Sequence, residues 1–282
     1  MRNEGIVQLA SSHPQPRPST LDRLQERLRK EVRTRPGLET AILRVCGAVQ
    51  RLDGDENRIF FLCYHQVPRR DLAAFRSGLE ALSAIGRFLS WDEALSLISG
   101  ERPVVGSHFC LTFDDGDRSW AEVVLPTLTD LSIPAAFFVV TSLIADPRRA
   151  DALSWSSCQQ LADQRMTVGS HTVTHRALAD LDERAARSEL RDSKRELEER
   201  LGIHVVDFCA PYGRPGVSYL PERDVAIAKE EGYRSFATTV RGAMRHGDSP
   251  YQIRRLTMNP TWPTLAVLGR LHSSSPAASG WS

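Results

Sequence analysis

A parallel α/β fold behind a helical N-terminal extension is what this sequence predicts, on two observations. From Arg58 onward, short apolar runs of strand length alternate with helical stretches. The residues able to do chemistry fall at the C-terminal ends of those runs, where parallel α/β folds place their sites. At 282 residues the chain fits one large α/β barrel domain or two ordinary domains.

Residues 1–56 are expected to form an arm and a helical extension. Ser11 to Ser19 is Ser/Pro-rich. Leu21, Leu24, Leu28 and Val32 then recur at helical spacing, as do Ile42, Val45, Cys46 and Val49 after Pro36-Gly37. Such helices either pack on the core or meet a partner or membrane surface, and neither stretch has a strongly basic face.

The domain itself is expected over 57–262. Its first strand is Ile59 to Tyr64, ending in His65, and a helix follows from Leu72 to Ile85. Phe109 to Phe113 is a strand that runs into Asp114-Asp115-Gly116. Ala135 to Val140 is the next strand, after a helix ending near Leu131. Ser154 caps a helix through Leu161, and Thr167 to Ser170 leads to His171. The clearest helix runs from Leu178 to Gly202, with Ala186, Leu190, Ser193, Leu197 and Leu201 on one face and a glycine stop. Val205 to Cys209 is a strand ending at Ala210-Pro211-Tyr212-Gly213, and a last helix and strand precede Ile253 to Met258. Residues 263–282 are expected to be an unstructured tail.

Composition narrows the function. Hydrophobic content of 41% and charged content of 25% are those of a globular protein. Basic and acidic residues number 36 and 35, so no broad electrostatic footprint for nucleic acid exists and substrate recognition is local. The cysteines, Cys46, Cys63, Cys110, Cys158 and Cys209, are scattered and form no C-x-x-C pair, which speaks against a disulfide framework or thiolate zinc site. Cys63 and Cys110 read as reduced core residues. No apolar stretch follows the N-terminal charges and the longest apolar run is too short to span a bilayer, so the cytoplasm is the expected compartment.

Asp114 and Asp115 at a strand end form either an exposed Asp-Gly turn or a pair of carboxylates whose repulsion is relieved by a shared cation. His171 and His175 form an H-x-x-x-H pair, a spacing that sets both imidazoles on one side of a helical turn, as metal ligands or as surface histidines. Joined to an aspartate from another strand end, they make a two-His, one-carboxylate site with open positions.

These residues carry a resemblance. L-T-F-D-D-G (Leu111 to Gly116) and S-H-T-V-T-H (Ser170 to His175) resemble the first two motifs of the polysaccharide deacetylase family, also called NodB-homology or carbohydrate esterase family 4. Y-H-Q-V (Tyr64 to Val67), Ser154-Trp155, A-P-Y-G (Ala210 to Gly213) and G-Y-R-S-F-A-T-T (Gly232 to Thr239) are similar to that family too, in its branch with an N-terminal Y-H-x-V. The resemblance runs from about Ile59 to Met258 and implies a distorted (β/α)7-type barrel.

It also implies roles. Asp115, His171 and His175 would hold a divalent metal, usually zinc, and Asp114 would be the general base. His65 would be the acid that protonates the leaving amine, or only a satisfied core histidine. Pro211, Tyr212 and Trp155 would wall the substrate pocket, Tyr212 through its backbone, while Trp155 could equally pack a helix. The family's arginine two residues before the Pro-Tyr pair is replaced here by Cys209. Arg255, in Y-Q-I-R-R-L-T-M, could fill its place or form a surface salt bridge. His108, His204, His246 and His272 receive no role. The implied activity is removal of an acetyl group from an N-acetylated sugar or glycoconjugate, with peripheral contact with a membrane face left open. O-deacetylation or other amide hydrolysis would use the same groups, and a catalytically silent sugar-binding relative is the reading from another class.

Overall fold

The computed structural model describes residues 57–100, 103–144, 146 and 148–272; the arm and helices expected over 1–56 lie outside them. In chain order come β1 (Arg58–Tyr64), α1 (Leu72–Ser83), β2 (Arg87–Phe88), α2 (Trp91–Ile98), β3 (Ser107–Asp115), α3 (Leu125–Leu131), β4 (Ala135–Val139) and α4 (Trp155–Asp163). They are followed by β5 (Thr167–Ser170), α5 (Glu183–Leu201), β6 (Asp207–Cys209), α6 (Pro221–Glu230), β7 (Ser235–Ala237), β8 (Arg255–Thr257) and α7 (Thr264–His272).

β1 is buried along its whole length, as an uninterrupted apolar run requires when helices and core cover both faces of a parallel strand. The sheet order is β7-β6-β5-β4-β3-β1-β8, all pairs parallel, with β2 added beside β3. A single parallel bridge from Ala237 to Ile253 joins the two ends, so the sheet curls into a distorted seven-strand barrel.

Two-residue alternation sorts the side chains of this barrel. Phe60, Leu62, Phe109, Leu111, Phe113 and Phe137 face the surrounding helices. Ile59, Phe61, Cys110, Ala136, Phe138 and Cys209 face the interior, where Trp91 of α2 stands edge-on to Phe61 and Phe138. The same alternation directs Cys63, Thr112 and Asp114 inward, above that apolar plug.

Several boundaries differ from the sequence reading. Residues 87–98, read there as no element, form β2 and α2; the signal was the Ser90-x-x-Glu93 capping box, whose two reciprocal bonds are both made. The long helix starts later than Leu178, because Asp182 caps it through the Ala185 N–H and Leu178–Asp180 is a separate 3-10 turn. The tail expected from 263 is corrected over 264–272. Those residues form α7, which buries Val267, Leu268 and Leu271 and meets α1 where Thr264 Oγ1 lies 3.3 Å from Ser77 Oγ. Each such burial stabilises by roughly 1.5–3 kcal/mol, enough to fix a short helix. Among the described residues, no helix is long and apolar enough to cross a membrane.

Candidate active site

Most of the candidate residues that converge stand at or just beyond the C-terminal ends of strands, Arg255 instead opening β8, and the two neighbouring aspartates are driven apart by the end of β3. Asp114 keeps the strand's alternation and points into the barrel, 2% exposed. Asp115 has φ +90, a left-handed backbone that turns its carboxylate out of the pleat. Gly116, at φ +114, continues the turn; a Cβ there would lie 2.8 Å from Ile144 Cδ1.

Asp114 is enclosed by four donors. Arg255 Nη1 and Nη2 donate to its Oδ1 and Oδ2 at 2.8 and 2.7 Å, a two-pronged ion pair. The thiols of Cys63 and Cys209 approach Oδ2 at 3.4 and 3.5 Å. Burial alone would raise this carboxyl's pKa, but the Arg255 guanidinium and the His171 ring outweigh it and bring it down to about 2. Burial pushes both thiols up, so they stay protonated and can donate. Arg255 is fully enclosed: Nε donates to Thr238 O at 2.8 Å, Nη1 to Thr112 Oγ1 at 3.2 Å, and Nη2 to Cys209 Sγ at 2.9 Å. The surface-salt-bridge alternative for Arg255 is therefore set aside.

Asp115 meets the two histidines. Its Oδ1 lies 3.5 Å from His171 Nε2 and 3.3 Å from His175 Nε2, yet it is buried and makes no hydrogen bond. Two ligands each about 2.1 Å from a tetrahedral centre stand roughly 3.4 Å apart. The spacing and the orphaned oxygen thus fit a cation among these three side chains. Burial would raise the Asp115 carboxyl, and the two facing imidazoles reverse that, holding it well below the usual carboxylate range.

The histidine pair corrects the sequence reading in one respect. It lies on a loop, not a helical turn, with Thr172 at φ +69 and His175 at φ +60. Thr172 Oγ1 accepts from the His175 N–H, and Glu189 of α5 accepts from the N–H groups of Val173 and Thr174 and from the Thr174 hydroxyl. These bonds hold the loop as a helix would have. His171 Nδ1 lies 2.7 Å from Cys209 O, which only accepts, so Nδ1 carries a proton and Nε2 is the ring atom turned toward Asp115.

His65, exposed at the end of β1, offers a ring nitrogen within 4.8 Å of both a carboxylate oxygen of Asp114 and Cys63 Sγ. Its carbonyl accepts from the indole N–H of buried Trp120 at 2.7 Å. Pro211 is buried and Tyr212 exposed, with the Tyr212 ring 4.9 Å from that of His175. Tyr212 has φ +60, and Gly213 is required after it, since a Cβ there would lie 2.4 Å from Thr239 N. Trp155 is half-buried against the core with the Arg200 guanidinium 5.1 Å from its ring centroid, as its packing alternative expects. Glu189 and Trp120 were missed by sequence reasoning; a buried tryptophan needing an acceptor and a glutamate in the first turns of α5 carry no local motif.

Comparison with known proteins gives a family model described as polysaccharide deacetylase, which matches residues 102–236. That stretch contains both aspartates and both histidines but neither His65 nor Arg255. The Bacillus subtilis protein YxkH, whose name places it among polysaccharide deacetylases, is 25% identical over 60% of this chain and 57% of its own. A chitooligosaccharide deacetylase of Rhizobium leguminosarum is 29% identical over 36% of this chain and 43% of its own. The chain thus spans about half the length of these relatives. Among solved structures, IcaB from Ammonifex degensii superposes with a TM-score of 0.65 at 25% identity, covering 76% of this chain and 98% of that one. The Streptococcus pyogenes deacetylase PplD, solved with acetate, does so at 0.65 with 21% identity, covering 78% and 99%, which speaks to fold alone.

Proposed function

Because residues 102–236 of this chain belong to the polysaccharide deacetylase family, we propose that it removes an acetyl group from the nitrogen of an N-acetylated sugar or glycoconjugate, using a divalent metal held by Asp115, His171 and His175. The observation that carries the proposal is the Asp115 Oδ1 left without a hydrogen bond between two imidazole nitrogens, beside a second carboxylate kept ionised. Zinc suits this donor set best. When bound, such a cation acidifies water and polarises an acetyl carbonyl.

The chain's own groups do the rest. Asp114 accepts the proton of the attacking water, and Arg255 keeps it in the accepting state. So acidic a carboxyl is a weak base, which makes Asp114 a relay and not a store for that proton. His65, whose ring nitrogen lies within 4.8 Å of an Asp114 carboxylate oxygen, would hand a proton to the leaving nitrogen. The main-chain N–H of Tyr212, beside His175, is the proposed donor to the developing oxyanion. Amide cleavage is favoured over ester cleavage by the presence of that acid, since an amine leaves only once protonated whereas an alkoxide is less demanding. The silent sugar-binding reading drew on the arginine missing at Cys209, and the Arg255 guanidinium in that role takes the support away.

The test is acetate release from N-acetylated and O-acetylated sugars, with metal content measured on the same protein. Chelation is expected to abolish release, and Asp114→Asn to keep the metal but lose turnover. Turnover undiminished in Asp114→Asn, or by chelator at low metal content, would overturn the assignment.

A further inference from the structure

A second constellation with ligand chemistry stands beside the first, and none of its members belongs to the Asp115, His171 and His175 set. Cys63 and His65 flank Tyr64 at the end of β1, so the two-residue alternation of the strand turns both toward the barrel mouth. Asp114 stands beside them on β3, and one ligand atom from each of the three falls within 4.8 Å of the others. Cys63 Sγ and Asp114 Oδ2 are 3.4 Å apart. A sulfur about 2.3 Å and a carboxylate oxygen about 2.1 Å from one tetrahedral cation stand roughly 3.6 Å from each other. A cation therefore fits between these two atoms in place of the thiol proton with little movement of either. The imidazole is the adjustable member, since His65 is exposed whereas Cys63 and Asp114 are buried.

The other thiol beside Asp114 is less suited. Cys209 Sγ lies 3.5 Å from the same oxygen, but Arg255 Nη2 donates to it at 2.9 Å. The histidine grouped with it, His171, is already engaged, with Nδ1 on Cys209 O and Nε2 turned to Asp115. Burial pushes the Cys63 thiol up, so its proton yields only to a cation that binds sulfur strongly. Cadmium, zinc and copper(I) meet that condition; magnesium and calcium, which take oxygen ligands, do not. The thiolate and Asp114 together offset the two charges of a divalent ion, and the Arg255 guanidinium beside them repels it. That repulsion sets the affinity below that of the Asp115, His171 and His175 set.

We infer that Cys63, His65 and Asp114 form an inhibitory site for a second, thiophilic cation, whose binding takes away the proton acceptor and the proposed acid together. The inhibition, though not the binding, rests on the deacetylase reading. On binding, the Cys63 S–H bond breaks, its proton passes to solvent and a metal–sulfur bond forms, so no oxidant or reductant is needed.

The full chain carrying one equivalent of zinc is titrated with cadmium, and the ultraviolet thiolate-to-cadmium absorption, the bound metal and acetate release are recorded on the same sample. Asp115, His171 and His175 include no sulfur, so the absorption reports thiol coordination alone. A second equivalent is expected to bind, to bring up the absorption and to lower acetate release about tenfold or more, while magnesium does none of these. Cys63→Ser is expected to abolish the absorption, and Cys46→Ser and Cys209→Ser to keep it. His65→Ala, at an exposed position where folding is not at stake, is expected to weaken the second cadmium about tenfold or more. An absorption that persists in Cys63→Ser or depends on Cys46 or Cys209, a second equivalent that binds without it or not at all, or cadmium affinity unchanged in His65→Ala overturns the site. Acetate release undiminished while the absorption is at its full height overturns the inhibition. No acetate release before cadmium is added, with an absorption that Cys63→Ser removes, would sink the deacetylase reading and leave the cation site standing.

Discussion

Arg255 on β8 grips Asp114 on β3 through both carboxylate oxygens, at 2.8 and 2.7 Å, across the interior of the barrel. The pair is nearly sealed from solvent, with side-chain exposures of 1% and 4%. Taking both charges out of water is costly, so the geometry must be good and the remaining hydrogen-bonding capacity filled, as Thr112, Thr238 and two cysteines do here.

Breaking that pair from one side is expected to be severe. Arg255→Met leaves a buried carboxylate without its cation and should lower stability by about 3–5 kcal/mol, with loss of acetate release. Asp114→Asn combined with Arg255→Met should recover part of that stability, because no charge is then stranded. Urea denaturation of the four proteins checks both statements.

Acid should erase the difference between parent and Arg255→Met. In the parent, Asp114 has a folded pKa of about 2, below the unfolded value of about 3.9. Its ionisation therefore stabilises the fold above roughly pH 4, by about 2.6 kcal/mol, and that contribution fades as pH falls toward 2. In the variant burial is unopposed by the guanidinium and raises this pKa, so protonation relieves a penalty instead. Urea midpoints measured from pH 7 to pH 3 should converge; parallel curves would deny the carboxylate this role.

Position 209 offers a second way to supply the cation. Cys209→Arg alone places a guanidinium beside the buried Arg255, already 2.9 Å from the Cys209 sulfur, and should destabilise by several kcal/mol. With Arg255→Met the same change should cost much less, since one cation again faces one carboxylate. A double-mutant cycle with a coupling above about 2 kcal/mol is the expected result, and additivity would contradict it.

Glu189 is expected to govern metal retention without touching the metal. It accepts from Val173 N, Thr174 N and Thr174 Oγ1, and so fixes the loop between the histidines. Glu189→Ala should weaken zinc binding about 10–100-fold while far-UV circular dichroism stays that of the parent. Competition with a fluorescent chelator measures it.

Much of this arrangement was legible in the sequence because parallel strands are buried on both faces. Runs such as Ile59 to Tyr64 and Phe109 to Phe113 announce themselves, and the chemistry follows where they stop. What the sequence hid is geometric. β2 has two residues and no apolar period, and α7 follows a Pro-rich bend that resembles a tail. The H-x-x-x-H spacing suits a helix and a loop equally, and only Glu189, fourteen residues beyond His175, decides between them. Trp155 could be read as pocket or packing from composition alone, and the guanidinium of Arg200 that covers its ring carries no local motif either. Arg255 was visible as a candidate, but that its two prongs match the two oxygens of Asp114 depends on the closure of the sheet.

That closure is slight. The barrel's last join is one bridge, Ala237 to Ile253, supported by Thr238 N–H to Ile253 O and Ile253 N–H to Phe236 O. Arg255 Nε donates to Thr238 O across the same join. One side chain therefore acts both as clasp for this closing seam and as counter-ion for the proton acceptor, so any local breathing that parts β7 from β8 would disarm the chemistry while the rest of the barrel stayed folded.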